Sequence, residues 1–372
     1  MAQANATKLG SSLPVPSVQE LAKELLTQVP LKYVRPDLEP PLLSNTAALL
    51  QVPVIDMQKL LSEDSVDLEL NKLDRACKEW GFFQVINHGA KKSLVDKMKI
   101  ELRELFNLPM EEKKKLWQEP GQMEGFGQHF VVSEDQKLDW ADLFYLITLP
   151  IHMRKTHVFS ALPPSFRFTL LIISTVEAYS AELRILAMRI LEQMAKALGI
   201  NFHEIEENYE AGWQSMRMNY YPPCPQPDHV IGLNPHSDAG GLTILLQVNE
   251  IEGLQIRKDG NWIPVKPLPD AFVINIGDSL EIMTNGIYPS IEHRATVNPI
   301  KERISIATFY SPRFDGTIGP APSVISPETP ARFRTMTAAD FYKGYFAREL
   351  RGKSYLEEVR VQDKEQTNGN DL

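Results

Sequence analysis

Cysteine is almost missing from this chain: Cys77 and Cys224 are the only two in 372 residues. Two thiols so far apart make neither a disulfide framework nor a set of zinc ligands, and they suit a reducing compartment. No uninterrupted apolar run approaches the roughly 20 residues that span a bilayer. The opening residues, "MAQANATKLGSSLPVPS", lack the charged start and apolar centre of a secretory leader. A basic surplus is missing too. The net charge of −9 leaves no stripe of Lys and Arg to meet phosphates, so nucleic acid is not an expected partner. No glycine-rich loop precedes a helix, which removes the dinucleotide and nucleoside-triphosphate folds, and no repeat recurs along the chain. What is left is an ordinary globular composition, 43% hydrophobic and 23% charged. It predicts a soluble monomer of the cytoplasm, with the nucleus also open to it.

The first 50 residues are rich in Pro, Ser and Thr, with a short helix expected at "SVQELAKELL" under a Ser17 cap. "VPVIDM" reads as a buried strand, Val66 to Trp80 as a helix, "FFQVIN" as a strand and "KSLVDKMKIELRELFNLP" as a second helix. "EEKKK" (Glu111–Lys115) reads as a solvated helix face. A long helix is predicted from about Thr175 to Leu198, stopped by Gly199. The apolar "FTLLIIS" (Phe168–Ser174) before it fits either a strand-like piece or an extension of that helix. From Met216 the pattern changes to short apolar runs: "LTILLQ", "GLQIRK", "WIPVK", "AFVINI", "LEIMT", "EHRATV" and "RISIATF" are all expected strands, with "KDGN" a hairpin turn. Many short strands at close spacing predict a sandwich or jelly roll.

Within this region "NPHSDAGG" places His236 and Asp238 two apart, on one face of an extended chain. His293, in "SIEHRATV", lies several strands later. Two imidazoles and a carboxylate form the facial triad of non-haem Fe(II) oxygenases, which leaves metal positions open. Arg303 and Ser305 in "RIS" again share a strand face, and a guanidinium beside a hydroxyl suits a carboxylate. Arg217, Asn219 and Tyr221 alternate in "RMNYYPPCP" and so share a face as well.

At "MRMNYYPPCPQP", "HSD", "GLQI", "INIGDSLEIMTNG", "EHRATVN" and "ERISIATF" the chain resembles the plant 2-oxoglutarate- and Fe(II)-dependent dioxygenases. "PVIDM" and "ACKEWGFFQVINHG" resemble that family's N-terminal half, so the likeness runs from about Val52 to Pro312. "SVQELAKELL" and "EGFGQHFVVSEDQKLDWADLFYL" are most similar to its senescence-related, alkaloid O-demethylase-like branch. The resemblance implies a mixed α and β fold with a double-stranded β-helix core, a jelly roll, flanked by helices. It divides the chain into an N-terminal region (52–160), a linking helical segment (161–211), the jelly-roll domain (212–312) and a helical tail (313–372). It implies His236, Asp238 and His293 as iron ligands. Arg303, Ser305, Tyr221 and Asn219 become the 2-oxoglutarate contacts, and Phe309, Tyr145 and Arg217 the walls of a substrate pocket. Fe(II), 2-oxoglutarate and O2 would be required, with ascorbate as reductant. The implied reaction oxidises a small plant specialised metabolite, by hydroxylation or oxidative O-demethylation, and releases succinate and CO2.

Two rivals are a flavonoid or hormone oxidase of the same family and a relative that binds ligands without turning them over. The second would be expected to have lost a triad member or "RIS", and both are intact. "FTLLIIS" departs from the family pattern as an apolar insertion, and Pro289 stands where a polar residue is usual. His88 is expected to hold a turn, and Cys224 to be structural. His129, His152, His157, His203 and His229 are expected at surface or packing positions. The variable walls are expected from Phe126–Val132, Leu143–Leu146 and "FYKGYFARELRGKSYL".

Overall fold

Strands of alternating character sort their side chains onto two faces, and two such strands organise this molecule. The computed structural model describes residues 12–24, 26–39, 51–62, 65–119, 121–155 and 167–361, without the side chains of 167–172. His157 therefore lies outside the described residues, as do parts of the terminal segments and most side chains of "FTLLIIS". Numbered along the chain, the larger sheet runs, in spatial order, β1 (Val54–Asp56), β2 (Phe82–Ile86), β10 (Phe272–Ile276), β7 (Leu242–Gln247), β12 (Arg303–Ser311), β5 (Trp213–Tyr221), β4 (Asp142–Leu149) and β3 (Gly125–Gly127). The smaller sheet runs β6 (Leu233–His236), β11 (His293–Ala295), β8 (Leu254–Lys258) and β9 (Asn261–Pro264). Only β1 and β2 pair parallel; the other pairs in these two sheets are antiparallel. This is the expected jelly roll.

One face of the large sheet carries Phe144, Leu146, Met216, Met218, Ile304 and Ile306, all buried against helices. The covering helices are Val66–Glu79, Lys92–Phe106 and Arg167–Leu198. The last has no Gly or Pro in 32 residues, and its stripe Val176, Tyr179, Leu183, Ile190 and Met194 faces the sheet at helical spacing. "FTLLIIS" therefore extends this helix instead of forming a strand, and Ile173 reaches the core. Among the described residues no helix is long and apolar enough to cross a membrane.

Several expectations are sharpened. The "KDGN" turn joins β8 to β9, with Asp259 and Gly260 at φ of 49° and 79° as such a tight hairpin demands. Ser17 caps only a single turn, Val18–Leu21, which is pinned where Asp142 accepts from Ser17 Oγ (2.5 Å) and the Val18 N–H (2.8 Å). His88 holds its turn: Nε2 donates to the Asp270 carbonyl and Nδ1 accepts from the Ala90 N–H. Both cysteines are free and buried. In the "EEKKK" helix Lys113 is buried, its Nζ donating to Gln19, while Glu111 and Lys114 pair at the surface.

"LEIMT" is not a strand. Asp278–Met283 is a helix whose six residues are all buried, a setting in which an apolar run carries no periodicity to distinguish helix from strand. Gly277 starts it by bringing the backbone against the turn after His236: a Cβ there would lie 2.1 Å from the Gly240 carbonyl oxygen. The Asp278 N–H then donates to the Asp238 carbonyl at 2.7 Å. Gly277→Ala is expected to destabilise the fold by about 1–3 kcal/mol through overpacking. The check is a lower denaturation midpoint, with weaker iron binding beside it if the crowded turn disturbs Asp238, one of the expected iron ligands.

Candidate metal centre and substrate cavity

Opposite the helices, the inner face of β5 presents Trp213, Ser215, Arg217, Asn219 and Tyr221, and β12 presents Arg303, Ser305, Ala307, Phe309 and Ser311. These residues stand in register: Arg303 beside Tyr221, Ser305 beside Asn219, Ala307 beside Arg217 and Phe309 beside Ser215. They line a cavity of about 920 Å³, counted to its open mouth. All ten sequence-predicted site residues are on its wall.

His236 ends β6 and His293 begins β11, and the two are direct partners across the small sheet. Their ring centroids are 4.2 Å apart. Asp238 Oδ1 lies 3.4 Å from His236 Nε2 and 3.6 Å from His293 Nε2. Each potential ligand atom is oriented by a bond made behind it. His236 Nδ1 donates to the Asn234 carbonyl (2.7 Å) and His293 Nδ1 to the Ile291 carbonyl (3.0 Å), which leaves both Nε2 lone pairs on the shared point. Asp238 commits Oδ2 to Thr243 Oγ1 (2.7 Å) and Asn275 Nδ2 (2.8 Å), so Oδ1 is left for the centre. Burial, reinforced by His236, pushes the His293 imidazole down to about 4, against the pull of Asp238, so it is neutral near pH 7 and able to ligate. Burial raises the Asp238 carboxyl, but His293, His236 and Asn275 outweigh it and hold the group well below the usual carboxylate range.

Deeper in the cavity Arg303 is 1% exposed. One terminal nitrogen donates to Ser305 Oγ (3.3 Å), the other to Gln247 Oε1 (3.0 Å), and Nε has no partner. Its guanidinium carbon lies 5.2 Å from the centre of the Tyr221 ring, and burial lowers its pKa. No carboxylate of the described residues pairs with it. A buried cation with an orphaned donor calls for an anion, which the protein does not supply itself. Asn219 Nδ2 donates to Ser305 Oγ at 3.5 Å, linking the two strands at this point. The donor set thus fits both a borderline divalent metal and a carboxylate-bearing co-substrate.

The mouth holds residues that sequence reasoning placed elsewhere or only by segment. His129, expected at a surface or packing position, is on the cavity wall, 4.8 Å centre to centre from Tyr145. Phe130 stacks on Phe346 at 5.5 Å, while Tyr345 donates its hydroxyl hydrogen to the Ser237 carbonyl (2.7 Å). Thr243 and Asn275, which face each other in register across β7 and β10, were not anticipated. A lone Thr in "LTILLQ" and a lone Asn in "FVINI" were the available signal: a polar side chain in an otherwise apolar buried strand needs a partner.

Comparison with known proteins agrees with this geometry. The sequence pattern of the 2OG-Fe(II) oxygenase superfamily matches residues 212–312, and that of the non-haem dioxygenase in morphine synthesis N-terminal region matches residues 52–164. The oxoglutarate-dependent flavonoid 7-O-demethylase 1 of Ocimum basilicum is 57% identical over 97% of this chain and 95% of its own. The chain belongs to the 2OG-Fe(II) oxygenase superfamily. Thebaine 6-O-demethylase of Papaver somniferum is 53% identical, covering 97% of this chain and all of that one. Among solved structures, JOX2 in complex with 2OG, Fe and JA superposes with a TM-score of 0.83 at 36% identity, over 94% of this chain and 99% of that one. This protein is accordingly an Fe(II)- and 2-oxoglutarate-dependent oxygenase.

Because Asn275 and Thr243 only orient the carboxylate, Asn275→Ala is expected to leave the fold intact and weaken Fe(II) binding roughly 10–100-fold. Equilibrium competition with a metal chelator would read this directly, and unchanged iron affinity would show that Asp238 needs no such support.

Proposed function

We propose that this oxygenase removes an O-methyl group from a small methoxylated plant metabolite, with iron held by His236, Asp238 and His293. The observation that carries the ligand assignment is the convergence of their three free ligand atoms, all within 4.8 Å, each aimed by a hydrogen bond from behind. Arg303 and Ser305 take the distal carboxylate of 2-oxoglutarate, Tyr221 closes over that end and Asn219 ties it to the neighbouring strand. The unpartnered Arg303 Nε and the missing counter-ion support this reading. Phe309, Tyr145 and Arg217 then face the organic substrate.

Bound Fe(II) and 2-oxoglutarate supply, with O2, the power to oxidise an unactivated C–H bond, with ascorbate maintaining the ferrous state. The chain's own residues do the rest. His236, Asp238 and His293 would hold the iron at the cavity wall, where it would supply the oxidising chemistry next to the substrate. Arg303 fixes where the co-substrate lies by two parallel donors. Phe309, Tyr145 and the Phe130–Phe346 stack exclude water and hold the methyl-bearing edge of the substrate inward. The overall reaction balances as aryl methyl ether, 2-oxoglutarate and O2 going to phenol, formaldehyde, succinate and CO2. Relatives named as O-demethylases at 57% and 53% identity favour this outcome over simple ring hydroxylation. The cavity is complete within one chain, which suits a monomer, and two free cysteines suit the cytosol.

Anaerobic titration of the Fe(II) protein with 2-oxoglutarate should develop the weak visible charge-transfer band of a chelated keto acid. His236→Ala is expected to lose iron, band and turnover together. Arg303→Ala should keep iron but raise the 2-oxoglutarate requirement at least tenfold, as expected for removal of a hydrogen-bonded charge. An active His236→Ala protein would disprove the ligand assignment.

A further inference from the structure

His129 is tied by one ring nitrogen only. Its Nε2 donates to the Met123 carbonyl at 3.0 Å, and Nδ1 has no hydrogen-bond partner among the described residues, although the ring lines the cavity. The tautomer is therefore set, and Nδ1 is left as an unbonded acceptor on a ring that lines this cavity and a smaller one beside it. Burial and the nearby Arg217 push this imidazole down to about 3, so it stays an acceptor and does not become a cation. Arg217 is the complementary group. It is 8% exposed, its Nε donates to Asn219 Oδ1 (2.8 Å), and its terminal nitrogens meet no acceptor among the described residues. The half-buried Asp139 feels the charge of Arg217 but is paired with Arg35 at 3.1 Å, so the terminal nitrogens of Arg217 are left for a ligand's oxygen. Among the described residues Asp238 is the only acid on the cavity wall, and its free oxygen faces the two histidine Nε2 atoms.

The wall around these two groups is aromatic. Phe130 sits at φ 64°, a backbone conformation uncommon for a bulky side chain, and that turn sets its ring parallel to Phe346, at 14°. Phe309 lies on the same cavity wall. We infer that His129 is a specificity residue: Nδ1 accepts a hydrogen bond from a hydroxyl on a planar aromatic substrate while Arg217 donates to an oxygen of the same molecule. The favoured substrates are thus methoxylated phenolic aromatics, neutral or anionic, over rigid amines that are protonated at neutral pH. This deepens the O-demethylase reading above and rests on it.

The test is equilibrium binding to the full chain in its anaerobic Fe(II)–2-oxoglutarate state, followed by the fluorescence of Trp213 in the cavity wall. The probes are 7-methoxyflavone, its derivatives with one free hydroxyl each, and thebaine. At least one hydroxylated derivative should bind roughly three- to tenfold tighter than the parent, the worth of one hydrogen bond. That advantage should vanish in His129→Gln, whose amide keeps a donor for Met123 but puts no acceptor where Nδ1 was. It should persist in His129→Asn, whose amide oxygen replaces Nδ1. Thebaine should bind more weakly than the preferred derivative by at least the same factor.

An advantage that survives His129→Gln, or no advantage in the wild type, or equal affinity for thebaine, would each overturn the inference. The charge-transfer band separates the two levels of the argument. If it forms normally without any hydroxyl preference, the specificity assignment alone fails. If the wild type never forms it, the reading of the site fails as well.

Discussion

Nine unbroken residue pairs between β5 and β12 are the constraint on which the rest of the molecule depends. In a pleated pair of this length each odd residue of one strand is locked beside an odd residue of the other, and a slip by one position would invert every side chain. Here the inversion would send Arg217, Asn219, Arg303 and Ser305 into the helix layer and Met216, Met218, Ile304 and Ile306 into the cavity. The burial of four large apolar side chains under the helices, at about 1.5–3 kcal/mol each, therefore also fixes the polar face. Stability on one side of the sheet specifies chemistry on the other.

That polar face is expensive to maintain without its ligands. Arg303 and Arg217 are buried cations that form no ion pair among the described residues, and His236 and His293 flank one buried carboxylate. The buried cations are unfavourable in isolation and become favourable when a ligand brings negative charge to them. Binding energy of this kind adds to folding stability by mass action, so the loaded protein is more stable than the empty one. The local frustration of the site is what makes it selective: a ligand with the wrong charge at either end leaves the penalty standing.

How much of this was legible in the sequence depended on the range of the interaction. His236 and Asp238 are two residues apart, so strand geometry alone put them on one face. Arg303 with Ser305, and Arg217 with Asn219 and Tyr221, were readable by the same rule. His293 was readable as the third member by its chemistry and the strand pattern, but its place beside His236 was not, because nothing local says that β11 returns beside β6. "LEIMT" misled because a fully buried helix has no polar face to mark its period. His129 misled for a different reason. It has no metal-ligand neighbours in the chain, and only the pairing of β3 with β4 and the turn at Phe130 carry it to the cavity. The long helix was legible from about Thr175 to its stop at Gly199, but its start at Arg167 was not, because the apolar "FTLLIIS" carries no polar face to separate helix from strand.

The C-terminal segment adds a coupling that neither sheet provides. Helix Ala338–Phe346 brings Tyr342, Tyr345 and Phe346 to the cavity, and Tyr345 is hydrogen-bonded to the Ser237 carbonyl between two of the metal-site residues. Seven residues beyond Tyr345, the Gly352 N–H donates to the Pro235 carbonyl (2.9 Å), and the Ser237 N–H donates back to Gly352 (3.3 Å). The same stretch of backbone, Pro235 to Ser237, thus carries His236 at the cavity and ties down the aromatic cover over it. A shift in the aromatic cover must move this backbone or break three hydrogen bonds, so the position of that cover and the aim of His236 are mechanically linked. The cavity of this oxygenase is therefore built in two layers: polar groups set on rigid strands, and an aromatic cover whose position is held by the strand that carries His236.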